Sequence, residues 1–495
     1  MDQLNPQDAQ FLYLESGDNL THLTSISIFD QSTVPGGDVV RFKDILTHVE
    51  SRLHMSPIFK RRLVHVPLEL DFPYWVDDEH FDLEYHIRHG RLPAPGDWRQ
   101  FCIHMARYHS RPLDMNRPLW EMFVVEGLDN VDGLPKGSYA LATKIHHAAV
   151  DGKAIVDFFG ALADIDNKGT PAVPLNMATL RRSPKPGLID MALRATWHTI
   201  RSPIGMTDAV MRSLPSVYYM AQNALSSQKD DKRDVPVTRF NSSVSPQKMF
   251  GAKAFRLDEL KAIRKAVPDS TINDVVLAIC AGGLRRYLEH HGELPDESLI
   301  AWVPINARQG GGSDPDAPRN NVTSMTVPIR TDVEDAVERL TLIQQVTRKS
   351  KEAKSGVSAR LMTDLSKHVP AATQVLASRL VLRAGMTSSM CNLFISNVPG
   401  PQVPLYMNGA KQVGAYGLAP LVNGMGLFIA TPSYNGEITF NVISTREIMP
   451  DVDFFVECIE KSVNDLKKAT APKKKKTRKR STSKKTSTKK KLRAV

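Results

Sequence analysis

Strand-like and helix-like stretches alternate in two separate parts of this 495-residue chain, and no other feature limits its fold as much. In the first part, Thr21–Phe29 alternates as a strand does. Val40–Leu53 carries Phe42, Ile45, Leu46, Val49 and Leu53 at helical spacing, and Met122–Glu126 and Ser138–Thr143 are β-prone. In the second part, Thr271–Leu288 and Val333–Lys354 read as helices, Leu299–Ile305 and Asn321–Ile329 as strands, and Leu393–Pro401 as a strand ending in a stiff turn. Val422–Ala430 and Glu437–Val442 form a hairpin around Ser433-Tyr434-Asn435-Gly436, and Val452–Leu466 closes as a helix. The two parts predict two α/β lobes, residues 1–164 and 246–468. Residues 165–245 would be a crossover and 469–495 a disordered tail.

Within the first lobe, the run Ser138–Thr143 leads into Lys144-Ile145-His146-His147-Ala148-Ala149-Val150-Asp151-Gly152, and Ala154–Leu162 resumes helical spacing. A buried strand thus delivers two adjacent histidines onto a turn that breaks at Gly152. Imidazole titrates near neutrality, which suits a general base. Asp151 is placed to hold the turn or a ring. From the residues alone, a pair of satisfied core histidines with Asp151 as a helix cap fits equally well. Upstream, Pro118-Leu119-Trp120-Glu121 is a stiff segment that feeds a strand; it serves as a fixed turn, as the wall of an apolar pocket, or as both. Asn273 and Asp274 open a helix, where capping is the plain account of the pair. Gly310-Gly311-Gly312 is no phosphate-binding loop, because no Gly-Lys-Ser/Thr follows it into a helix. His80, His86 and His89 match no metal-ligand spacing and read as surface loop histidines, and no metal is expected.

Net charge is +11, but residues 471–495 hold 13 Lys or Arg and no acid, which leaves 51 basic against 53 acidic residues in the body. The basic character belongs to the tail. It reads first as a solubilising segment, next as an attachment to anionic lipid surfaces, and last as a nucleic-acid binder; nucleic acid is the weakest expectation. Cys102, Cys280, Cys391 and Cys458 stand far apart, as reduced thiols of a cytoplasmic protein do. No apolar run approaches 18 residues and no secretory leader opens the sequence. In the crossover, Ile189, Leu193, Trp197 and Ile200 fall at spacings of four, four and three, with Arg194 and Arg201 on the same helix. Packing on the body is the first reading. The other is that residues 188–225 lie in a membrane or lipid-body interface.

Taken together and in order, several separated motifs resemble the bacterial bifunctional wax ester synthase/acyl-CoA:diacylglycerol acyltransferase family. They are Leu4-Asn5-Pro6-Gln7-Asp8, Pro118-Leu119-Trp120-Glu121, His146-His147-Ala148-Ala149-Val150-Asp151-Gly152, Asn273-Asp274-Val275-Val276-Leu277-Ala278, Val303-Pro304-Ile305-Asn306-Ala307-Arg308 and Ser396-Asn397-Val398-Pro399-Gly400-Pro401. The likeness runs from Leu4 to Leu466. Two departures are Ile305-Asn306, where the family often has a serine, and the Lys-rich tail. The resemblance implies a two-lobed, chloramphenicol-acetyltransferase-like fold with the histidines at the lobe interface. It implies transfer of a long-chain acyl group from acyl-CoA, a co-substrate rather than a bound cofactor, to diacylglycerol or a fatty alcohol. His147 would be the general base, His146 auxiliary, Asp151 and Asp274 structural, and Asn273 an oxyanion donor or a cap. Gly152, Pro118, Leu119, Trp120, Asn397, Pro399 and Gly400 would line the substrate path. The location it implies is cytoplasmic, peripheral at the inner membrane or lipid inclusions. Condensation domains that use carrier-protein substrates share the short histidine motif and are the alternative enzyme class.

Overall fold

In the computed structural model, the described residues are 2–37, 39–150, 154–169, 187, 189–191, 193–197, 235–306, 322–352, 371, 373–376 and 390–471. The first half supplies β1 (Asp2–Gln3), β2 (His22–Asp30), β3 (Arg61–Val64), β4 (Tyr74–Asp77), β5 (Ile87–Arg91), β6 (Trp120–Glu126) and β7 (Tyr139–His146). The second supplies β8 (Lys248–Arg256), β9 (Ile300–Asn306), β10 (Val322–Pro328), β11 (Leu393–Pro399), β12 (Tyr406–Met407), β13 (Ala410–Leu418), β14 (Phe428–Tyr434) and β15 (Glu437–Thr445). They make two six-stranded mixed sheets, β12-β13-β2-β7-β6-β5 and β10-β9-β11-β14-β15-β8, and a small sheet β1-β4-β3. The two-lobed mixed α/β expectation is therefore met.

One boundary is not. β13 pairs antiparallel with β2, from Lys411 opposite Asp30 to Leu418 opposite Thr24. A second-half strand therefore completes the first sheet, and residues 246–468 do not form one continuous lobe. The physical reason is edge satisfaction: without β13, the backbone N–H and C=O groups on that side of β2 would lack partners. The helices of the first half are α1 (Pro6–Leu14), α2 (Phe42–Glu50), α3 (Leu83–His86), α4 (Trp98–His109) and α5 (Ala154–Leu162). Those of the second are α6 (Leu257–Arg264), α7 (Ile272–His291), α8 (Ala336–Glu352) and α9 (Val452–Thr470). α9 runs through Thr470, so the assignment of 469–495 to a tail begins two residues too early; 472–495 lie outside the described residues.

Strand alternation decides what each face of the first sheet buries. Trp120, Met122, Val124, Leu141 and Ile145 pack toward α2 and α5. Ile26, Ile28, Val125, Ala140 and Ala142 face α4, whose Phe101, Cys102 and Met105 also meet Phe250 and Ala252 of β8 and Ile443 of β15. One apolar cluster thus joins the two sheets. Polar contacts reinforce it near the sheet ends: Lys248 Nζ donates to Asp18 O at 3.1 Å and Asn423 N to Asn19 Oδ1 at 3.0 Å. In the second sheet, α7 and α9 cover β8 and β15, and Gly283 lets the Ile459 backbone come close.

The β14–β15 hairpin forms as read from the sequence. Its two-residue loop, Asn435-Gly436, has positive φ at both positions, which Asn-Gly tolerates. The crossover helix forms where it is described, but with another face inward. Met191 and Ala195 are buried against Val64, Val66, Tyr74 and Val76, while Ile189, Leu193 and Trp197 are 76%, 64% and 54% exposed. Packing of that stripe on the body is corrected: Met191 and Ala195 dock the helix, while Ile189 and Leu193 stay largely exposed and Trp197 about half exposed. Ile200 and the Ala209–Leu225 helix lie outside the described residues.

Candidate functional site

All eight residues of β7 are buried, and the strand ends at the histidine pair. His146 N donates to Leu119 O at 3.0 Å, and His147 N to Thr21 O at 3.1 Å. The Pro118-Leu119-Trp120 segment and the start of β2 therefore clamp the turn from either side. A short 3₁₀ turn, His147–Ala149, follows, and the His146 side chain caps it.

The two rings differ in partners. His146 Nδ1 accepts from Ala148 N at 3.1 Å, which leaves the ring proton on Nε2. That nitrogen lies 2.9 Å from Glu15 Oε2 and 2.9 Å from Thr21 Oγ1. Glu15 Oε2 also receives Thr21 N at 3.1 Å and Thr21 Oγ1 at 2.8 Å. Burial raises the Glu15 pKa, but the His146 N–H and the two Thr21 donors outweigh it and hold the carboxyl down at about 2. His146 is fully buried and fully engaged. His147 stacks on Phe11 with ring centroids 3.7 Å apart and planes 16° from parallel. Its Nδ1 is buried without a hydrogen-bond partner, and burial pushes its pKa down to about 4. At neutral pH the ring is an unprotonated imidazole, the form that can accept a proton.

Beneath this turn, the same sheet face carries further buried polar groups. His22 Nε2 meets His109 O at 2.7 Å, and Thr24 Oγ1 meets His109 Nδ1 at 2.9 Å. Burial and the Lys144 charge press the His109 pKa down to about 3. Lys144, two residues before His146, donates to Arg111 O at 2.8 Å and pairs with Glu121 at 3.5 Å.

The remaining sequence candidates fall into three groups. Asp151 and Gly152 lie outside the described residues. Leu119 and Trp120 are wholly buried, and the Trp120 Nε1–H is satisfied by Phe59 O at 3.1 Å. The indole stacks on His86, whose Nδ1 pairs with Trp120 O at 2.7 Å. Pro118-Leu119-Trp120 is therefore a core wedge behind the turn, since neither Leu119 nor Trp120 exposes surface to a ligand here. His86 is a buried member of that wedge, not a surface loop histidine. Among the described residues, no three His, Cys, Asp or Glu side chains group as metal ligands.

In the second half, the α7 N-cap is Thr271, in a capping box with Asp274. Asp274 Oδ2 accepts Thr271 N and Oγ1, each at 2.7 Å, and Oδ1 accepts Thr347 Oγ1 at 2.7 Å. Both carboxylate oxygens of Asp274 are thus taken up by helix capping and by α8. Asn273 is not the cap, and its side chain makes no hydrogen bond to a described residue. Gly400 N donates to Ser433 O at 2.9 Å, and a Cβ on Gly400 would lie 2.3 Å from that oxygen. Close backbone approach explains this glycine without a ligand. Pro399 is exposed and Asn397 half-buried beside it. No hydrogen bond links Asn273 or Asn397 to the histidine turn among the described residues.

Phe11, Glu15 and Thr21 were missed in the sequence. The available signal was Glu15, a lone acid directly after the apolar Phe11-Leu12-Tyr13-Leu14; its partner lies 131 residues further on.

With this geometry in hand, comparison with known proteins is direct. Residues 4–276 match the wax ester synthase/diacylglycerol acyltransferase catalytic domain, and 319–467 match the C-terminal domain of the same group. The O-acyltransferase WSD of Acinetobacter baylyi is 30% identical over 472 residues, covering 94% of this chain and 96% of that protein. A Mycobacterium tuberculosis protein provisionally named a diacylglycerol O-acyltransferase is 32% identical over 470 residues, covering 94% and 99%. Among solved structures, the wax ester synthase/diacylglycerol acyltransferase of Marinobacter aquaeolei VT8 superposes with a TM-score of 0.66 at 26% identity, covering 94% and 99%.

Proposed function

Given that this chain belongs to the wax ester synthase/diacylglycerol acyltransferase family, and so is an acyltransferase, we propose that it moves a long-chain acyl group from acyl-CoA to the hydroxyl of diacylglycerol or a fatty alcohol, with His147 as general base. The observation that carries the assignment of the base is the contrast between the two rings. His146 is saturated by Glu15, Thr21 and Ala148, whereas His147 is neutral, with Nδ1 unpartnered, on a turn pinned from both sides.

In this reading, the His147 imidazole takes the proton of the acceptor hydroxyl as its oxygen attacks the thioester carbonyl carbon. The tetrahedral intermediate collapses by breaking the C–S bond, and coenzyme A leaves as a thiolate that the imidazolium reprotonates. No covalent acyl-enzyme is needed. Asn273, with an amide donor not spent on capping, is proposed to stabilise the oxyanion. Asp151 is proposed to order the turn. Residues 1–164, completed by β12 and β13, form the histidine-bearing lobe; the rest of 246–468 forms the second, and 165–245 connects them.

The substrates are apolar, and no helix among the described residues is long and apolar enough to cross a membrane. The exposed Ile189, Leu193 and Trp197 are therefore proposed to rest on a membrane or lipid-body surface, on the cytoplasmic side, with the basic tail as a second contact.

The deciding assay offers radiolabelled palmitoyl-CoA with diacylglycerol and with hexadecanol in parallel. His147→Ala is expected to lose about 10²-fold or more of the labelled ester while its unfolding temperature stays near wild type. Near wild-type turnover in that folded variant refutes the assignment of the base.

A further inference from the structure

Beside Lys144, on the α4 face of the first sheet, a pocket of about 390 Å³ opens between the C-terminal end of α4 and strands β5 and β6. That volume lies within the range of small-ligand sites. Tyr85, Tyr108 and Phe123 give it aromatic walls, and Arg88 and Arg111 stand at its exposed edge.

Its charges do not balance. Glu121 is taken by Lys144 at 3.5 Å. Asp114 accepts Tyr85 OH at 3.2 Å and Asn116 N at 2.9 Å and pairs with Arg117 at 3.6 Å. Both acids of the pocket are thus engaged by cations other than the two lining arginines. Neither the Arg88 nor the Arg111 guanidinium makes a hydrogen bond or ion pair to a described residue; Arg88 only faces the Tyr85 ring at 5.8 Å. Two uncompensated guanidinium groups converge on one cavity, and each presents a planar fork of N–H donors that matches an oxyanion.

We propose that this pocket is a binding site for a phosphomonoester, whose charge of nearly −2 neutralises Arg88 and Arg111 while its organic part packs on Tyr85, Tyr108 and Phe123. A carboxylate would leave one arginine charge uncompensated. Two sources carry the required group: the 3′-phosphate end of coenzyme A, and a free phosphorylated metabolite. The pocket is independent of the acyl-transfer reading, because binding to it is measured without turnover.

The test is calorimetric titration of the full chain at low ionic strength with coenzyme A, glycerol 3-phosphate and inorganic phosphate. Wild type, the double variant Arg88→Ala/Arg111→Ala and the control Arg91→Ala are compared. Arg91 lies on the same strand but pairs with Glu126 and Asp129 outside the pocket. At least one phosphate probe is expected to bind wild type and the control alike and to lose at least tenfold in affinity in the double variant. Loss confined to coenzyme A assigns the pocket to the co-substrate. Loss for glycerol 3-phosphate or phosphate, with coenzyme A unchanged, assigns it to a separate metabolite. If no probe binds, or if every affinity survives the double substitution in a folded protein, the proposal is overturned.

Discussion

At the residue scale, adjacent histidines on one turn have divergent surroundings because successive residues at a strand end point to opposite sides. His146 turns inward to Glu15 and Thr21; His147 turns toward Phe11. Their substitutions should therefore fail differently. His146→Ala removes the ring that donates to Glu15 and caps the 3₁₀ turn, leaving a largely buried carboxylate short of a partner. Loss of such a partner costs on the order of 1–3 kcal/mol. We expect a lowered unfolding temperature in His146→Ala, with partial activity where the protein remains folded. His147→Ala should show the converse, near-normal melting and lost turnover. Equal melting temperatures and equal activity losses for the two would contradict this division.

At the element scale, the helical residues 189–191 and 193–197 show how pattern and environment can separate. The stripe Ile189, Leu193 and Trp197 was legible in the sequence, yet Met191 and Ala195 carry the docking. Helical spacing reveals an apolar face but not whether protein or something else covers it. We expect Ile189→Asp/Leu193→Asp to reduce sedimentation with anionic liposomes severalfold without lowering the melting temperature. Met191→Asp places a charge against Val64 and Val66 and should lower it. Unchanged liposome binding in the double variant rules out this face as the contact. Other elements followed local chemistry closely. The Thr271–Asp274 capping box starts α7, Asn435-Gly436 turns the last hairpin, and Asn5 caps α1 ahead of Pro6.

At the scale of the whole molecule, three buried histidines of the first lobe are held unprotonated by the packing around them. Burial, first among the causes, lowers the pKa of His22, His109 and His147, the last two to about 3 and about 4. Unfolded histidines take up protons near pH 6.5, and these folded ones do not. The unfolded chain thus binds more protons between about 6.5 and 4, and stability falls as pH drops through that window. Each histidine contributes about 1.4 kcal/mol per unit of separation. Glu15 adds to the loss lower still, between the ordinary carboxylate range and about 2. The melting temperature should drop steadily from pH 7 to pH 5; a flat profile would mean that these rings are accessible to protons in the folded state.

What the sequence by itself determined is local: where strands and helices lie, where they are capped and turned, and that a buried strand ends in a histidine pair. Such features depend on neighbours within a few residues, which spacing and side-chain type record. Only the tertiary structure decided that β13 crosses to complete the first sheet beside β2, that Glu15 engages His146 while burial leaves His147 unprotonated, and that Arg88 and Arg111 share a cavity whose acids pair with other cations among the described residues. Those are contacts between segments far apart in the chain. They follow from which edges and buried charges must find partners once the sheets close, and periodicity along the chain contains no record of that.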